Sequence, residues 1–193
     1  NPSAAGKGHT VLKFSSTGEL LMTLGTPGEA GDPPTHFDAP NDVLVAPNGN
    51  IYVGDTHGAQ FQNEAGPTAK SRMSIFAPDG SFIKSFGEFG FEDGQFRSPH
   101  SLGMDSQGRL FVADRGNSRI QIFTQDGDHL DTWYQFSRIS GLFIDPNTDL
   151  LYPIASESVE NYPPGCQSRL PARIARTRLV LYYLKHHSVH HLC

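Results

Sequence analysis

The sequence predicts an all-β chain assembled from repeated four-stranded units, and three observations carry that prediction. A passage occurs twice: Phe37-Asp38-Ala39-Pro40-Asn41-Asp42-Val43 leads to Gly49-Asn50-Ile51-Tyr52-Val53-Gly54-Asp55, and Phe96-Arg97-Ser98-Pro99-His100-Ser101-Leu102 leads to Gly108-Arg109-Leu110-Phe111-Val112-Ala113-Asp114, 59 residues later at every matched position. Within each copy, short apolar runs alternate with turn signals at fixed offsets. Composition agrees, with 20 Gly and 14 Pro in 193 residues favouring many turns over long helices.

In the second copy, Ser101–Asp105 reads as the first strand and Ser106-Gln107-Gly108 as a turn. Leu110–Ala113 is the second strand, followed by a turn at Arg115-Gly116-Asn117. Ser118–Phe123 alternates with period two, Gln125-Asp126-Gly127 is a hairpin signal, and His129–Tyr134 closes the unit. The first copy matches with Asp42–Val45, Ile51–Val53, Arg72–Phe76, Asp79-Gly80 and Phe82–Phe86. It carries 12 more residues between Asp55 and Arg72 than the second does between Asp114 and Arg119; without them the period is 47, close to the ~40–50 residues of a propeller blade.

Half-units flank the two. Thr10–Phe14, Thr17-Gly18 and Leu20–Leu24 resemble an outer strand pair, and Ile139–Asp145 an inner strand. Four-stranded units repeated radially mark a β-propeller, favoured here over a solenoid or sandwich by the hairpin-sized turns. The expected architecture is a partial β-propeller over residues 1–160, with two complete and two partial blades. A ring typically needs four to eight, so the sequence reads as a piece of a longer protein whose remaining blades lie elsewhere.

Charge divides the chain. All 20 acidic residues fall at or before Glu160, against ten of the 15 basic ones. The body is therefore acidic and a poor partner for nucleic acid. Residues 161–193 are basic, contain both cysteines and four of the nine histidines, and lack the repeat, as expected of a disordered or frame-disturbed end. The spacing in His186-His187-Ser188-Val189-His190-His191 would suit a metal on a helix but has no carboxylate nearby. In the third unit Pro153 removes a ladder donor and the repeated Asp is gone. No apolar run is long enough to span a membrane, and Asn1–Gly6 has no apolar signal core.

The repeat also separates scaffold from chemistry. Asp55, Asp114, Arg72 and Arg119 recur, and read as turn-forming or Asp–Arg contacts within each blade. His100 begins an inner strand where the first copy has Asn41; imidazole is a good neutral zinc ligand, but from residue chemistry alone a lone His is more often structural. Arg115 stands where the first copy has Thr56, so the fold does not demand it. His57 lies in the matching loop of the first copy, before an insertion, Ala59–Lys70, that could cover the channel.

The run Gly108-Arg-Leu-Phe-Val-Ala-Asp-Arg-Gly-Asn-Ser-Arg-Ile-Gln-Ile-Phe123 resembles the NHL repeat of six-bladed propellers. Gly94–Leu102 with Asp114–Gln121, together with His36–Val43, resembles the peptidyl-α-hydroxyglycine α-amidating lyases, especially bacterial ones, over about Val11 to Glu160. That resemblance implies a zinc ion held by histidines at inner-strand starts of alternating blades, and cleavage of a peptide-like substrate to a peptide amide and glyoxylate. It implies that His100 is a metal ligand, with zinc lowering the pKa of the substrate hydroxyl. It further implies that Arg115 orients a carboxylate or oxyanion and that His57 is a general base, although animal lyases place a Tyr there. It favours a secreted or periplasmic protein, and this piece alone is expected to be inactive. Two other readings stand beside it. One is a non-enzymatic NHL scaffold binding a protein or peptide. The other is a calcium-dependent propeller hydrolase, for which only Asn41 is suitably placed.

Overall fold

The computed structural model describes residues 6–56 and 70–157 and the backbone of Tyr182–Tyr183. All its strands pair antiparallel, in four sheets. β1 (Val11–Phe14) and β2 (Leu20–Leu24) form a two-stranded sheet. β3 (Pro40–Val45), β4 (Ile51–Asp55), β5 (Arg72–Phe76) and β6 (Phe82–Phe86) form the first complete unit, in that order across the sheet. β7 (Pro99–Met104), β8 (Leu110–Asp114), β9 (Arg119–Phe123) and β10 (His129–Trp133) form the second. β11 (Arg138–Ile144), β12 (Leu150–Glu157) and β13 (Tyr182–Tyr183) form the last. This is the all-β partial propeller that the sequence predicts, with two complete and two partial blades.

The outer hairpins explain why the repeat is so legible. Phe14 pairs with Leu20, Phe76 with Phe82 and Phe123 with His129. Each turn between them is closed by the same two backbone hydrogen bonds, and Gly18, Gly80 and Gly127 all take positive φ in it. The sheet β1–β2 is thus an outer pair without its inner strands. Its β1 is partly to fully exposed along its length, whereas the corresponding strands β5 and β9 are buried throughout.

Three apolar clusters lie between successive blades. One joins Leu24, Phe37, Ile51, Val53 and Phe76, one centres on Tyr52, Met73, Phe96, Leu110 and Phe123, and one on Phe111, Ile120, Phe136, Ile139 and Leu151. Phe96 packs between Phe86 and Phe123, with ring centroids 6.3 and 5.5 Å away. Gly87 permits this: its φ is +83°, and a Cβ there would sit 2.3 Å from a Phe96 ring carbon.

β12 forms despite Pro153, which stands opposite Leu142. β13 pairs only with Leu150 and Leu151, so among the described residues no strand faces the outer edge of β12 at Pro153, and a missing N–H is tolerated there. Ala155 occupies the place of the repeated Asp. Apart from Tyr182–Tyr183, the tail 161–193 lies outside the described residues. No helix among the described residues is long and apolar enough to cross a membrane.

Candidate functional site at the inner-strand starts

The recurring Asp and Arg residues build the frame. Asp55 faces Arg72 across β4 and β5, and Asp114 faces Arg119 across β8 and β9. Asp55 accepts backbone N–H bonds from Asp38 and Ala39, and its Oδ2 accepts from Arg72 Nε and Nη2 at 3.0 and 2.8 Å. Asp114 accepts from the Arg97 N–H at 2.7 Å, Asn117 Nδ2 at 2.7 Å and Arg119 Nε at 2.9 Å. Burial pushes both carboxyls above the usual range, and the guanidinium and amide donors oppose it. Each pair pins the loop entering the inner strand of its own blade, so these four residues are scaffold, as their repetition predicts.

Three equivalent kinks stand at the inner-strand starts, two of them behind an Asp–Arg pair. The register shifts between Pro40 and Asp42 in β3, between Pro99 and Ser101 in β7, and between Ile139 and Gly141 in β11. Asn41, His100 and Ser140 are the bulged residues, and bulges of this kind re-aim side chains. Asn41 Nδ2 donates to the Pro99 carbonyl, so each of the first two bulged side chains reaches the next inner strand. His100 Nδ1 lies 2.9 Å from the Ser140 carbonyl oxygen. A carbonyl can only accept, so Nδ1 carries the proton and the neutral ring's lone pair sits on Nε2, the form in which histidine commonly binds metals.

Arg115 opens a 3-10 turn, Arg115–Asn117, that packs against β7 and β11, the two strands joined by His100 and Ser140. The turn is anchored by Gly116 N–H donating to the Arg97 carbonyl at 2.7 Å, and the Arg115 side chain is largely buried. The fold therefore brings Arg115 and His100 to one end of the inner strands. His57 and most of the insertion following it lie outside the described residues.

The donors at this end match a zinc or calcium site only in part. His100 suits one zinc ligand, but a zinc site needs three, and among the described residues no group of three or more His, Cys, Asp or Glu side chains lies together. At the equivalent positions stand Asn41 and Ser140, which do not make a zinc set with it. For calcium, Asn41 Oδ1 is buried without a hydrogen-bond partner, while the neighbouring Asp42 Oδ2 is engaged by the Leu102 N–H at 2.7 Å. Among the described residues no group of three or more His, Cys, Asp or Glu side chains accompanies Asn41.

Sequence reasoning missed Ser98. It has φ +63° immediately before a proline, is 4% exposed, and its buried hydroxyl has no hydrogen-bond partner. The first copy has Ala39 there, so a further difference between the copies falls two residues before His100. Ser98→Gly is expected to stabilise the chain by about 1 kcal/mol in chemical denaturation, since relief of the backbone strain and of the stranded hydroxyl exceeds the entropy cost of glycine. A loss of stability would contradict this.

Residues 96–123 match the NHL repeat. A gluconolactonase structure from Xanthomonas campestris aligns with TM-score 0.54 at 18% identity, covering 78% of this chain and 50% of that one, which shows the fold alone. The described residues are part of a β-propeller carrying an NHL repeat.

Human NHL repeat-containing protein 3 is 40% identical over 129 residues, covering 65% of this chain and 35% of that protein. Peptidyl-glycine alpha-amidating monooxygenase B of Xenopus laevis is 41% identical over 122 residues, 60% of this chain and 13% of that protein. A probable peptidyl-alpha-hydroxyglycine alpha-amidating lyase of Caenorhabditis elegans is 32% identical over 120 residues, 60% of this chain and 31% of that protein. The chain thus spans about a third of the length of the human relative.

Proposed function

We propose that this segment belongs to a zinc-dependent, amidating-lyase-like propeller that cleaves a peptidyl-α-hydroxyglycine to a peptide amide and glyoxylate. One observation carries the reading. The bulged His100 donates from Nδ1 to a backbone carbonyl, as metal-binding histidines do, beside the turn that presents Arg115. Similarity to amidating enzymes over 60% of the chain supports it.

In this reading His100 is one ligand, and the others come from blades beyond the described residues. Zinc, when bound, acidifies a coordinated hydroxyl. The residues of this chain do the remaining work. Arg115 pairs with the carboxylate of the hydroxyglycine and fixes its orientation, a geometry that a guanidinium fork favours. His57 accepts the hydroxyl proton. The oxygen's electrons form the glyoxylate carbonyl, the carbon–nitrogen bond breaks, and the amide nitrogen takes up a proton. Burial of Arg115 strengthens its grip on the carboxylate by reducing competition from water.

The second reading, a scaffold that binds protein or peptide on its rim, is favoured by the 40% identity to NHL repeat-containing protein 3, whose name states no reaction. The two part on one assay. The segment, joined to the blades that close its ring, is incubated with a peptidyl-α-hydroxyglycine. The lyase reading expects glyoxylate and peptide amide in equal amounts. A folded, ring-complete protein that releases neither belongs to the scaffold class.

A further inference from the structure

The two junctions between neighbouring inner strands are built differently, and the difference bears on His100. Inner strands of separate blades share no ladder, so side chains must link them. At the first junction, β3 to β7, Asp42 Oδ2 accepts from the Leu102 N–H at 2.7 Å. At the second, β7 to β11, Ser101 Oγ accepts from the Leu142 N–H at 3.1 Å. Asp42 and Ser101 are the same repeat position, each the first residue after its bulge. A serine hydroxyl reaches less far from its backbone than an aspartate carboxylate, so the second link calls for a closer approach of the strands.

Gly103 makes that approach possible. A Cβ there would stand 3.1 Å from Ile144 Cδ1 and 3.2 Å from Leu142 Cδ2, both on β11. The corresponding residue of the first copy is Leu44. Two small residues therefore replace two larger ones on the strand that carries His100. Both lie within three residues of it and face β11, which carries the Ser140 carbonyl.

We infer that Ser101 and Gly103 are positioning residues for His100. They hold β11 at the spacing where the Ser140 carbonyl accepts a hydrogen bond from Nδ1–H, which leaves the lone pair on Nε2. The importance of that tautomer rests on reading His100 as a metal ligand; the positioning itself does not. Deletion of a partner that orients a ligating histidine commonly lowers metal affinity ~10–100-fold.

The test reads the ring directly. Nitrogen NMR of the metal-free chain, labelled at histidine, is expected to show His100 as the Nδ1–H tautomer. Ser101→Ala, and Gly103→Leu, which installs the first-copy residue, are expected to turn this into a mixture of tautomers, while Ser101→Thr retains the single form. Trp133 fluorescence reports that each variant folds, and Ser101→Ala, which removes one oxygen, decides the matter if Gly103→Leu unfolds. An unchanged Nδ1–H tautomer in folded Ser101→Ala overturns the inference. In the ring-complete protein the same variant is expected to bind zinc ~10-fold more weakly. A tautomer change in a protein that binds no zinc at all would leave the positioning standing and remove only the ligand reading.

Discussion

Replacing Arg119 with alanine is expected to destabilise the chain by about 3–5 kcal/mol, the usual consequence of removing one partner from a buried ion pair. Arg119 is 2% exposed and Asp114 fully buried. Beyond its bond to Asp114, the guanidinium donates to the carbonyls of Phe91, Glu92 and Gln95, holding the whole loop that enters β7. Alanine would leave a buried carboxylate without its cation and remove a charged donor from three carbonyls at once.

The loss should also depend on pH. Burial already pushes Asp114 upward, and removing its cation pushes it further. A carboxyl whose folded pKa lies above its unfolded value of about 3.9 contributes stability that is fully present below that value and disappears as pH rises through the folded one. The variant should therefore be weakest near neutral pH and regain stability on acidification. Urea unfolding followed by Trp133 fluorescence at several pH values measures both effects. A loss under ~1 kcal/mol, typical of a surface pair, would contradict the account, as would a loss insensitive to pH.

Most of the fold was legible because the chain repeats itself. The Asp–Gly and Thr–Gly hairpins located the outer strands of three blades, and the recurrence of Asp55/Asp114 and Arg72/Arg119 marked them as scaffold before their bonds were visible. The site was legible only in part. His100 and Arg115 stood out by differing from Asn41 and Thr56. Ser140 did not, because its contribution is a backbone carbonyl that any residue could offer. Ser98 differs from Ala39, but its strain comes from a backbone angle that the residue type does not encode. The links made by Asp42 and Ser101 run between blades. Period-two patterning reports which face of a strand is buried, and is silent on which side chain meets the next strand along the ring.

The second large effect concerns the metal. His100→Ala removes the imidazole whose Nδ1 is committed to Ser140, and is expected to strip the ring-complete protein of zinc, since a three-ligand site holds the ion weakly with two. Asn41 is the natural control. It occupies the same bulge in the preceding blade and makes the equivalent reach to the next inner strand, but brings no imidazole. The decisive measurement is the zinc content of the purified ring-complete protein and of its His100→Ala and Asn41→Ala variants. The account predicts about one zinc ion per molecule in the parent and in Asn41→Ala, and almost none in His100→Ala. Equal zinc in the parent and in His100→Ala would contradict it.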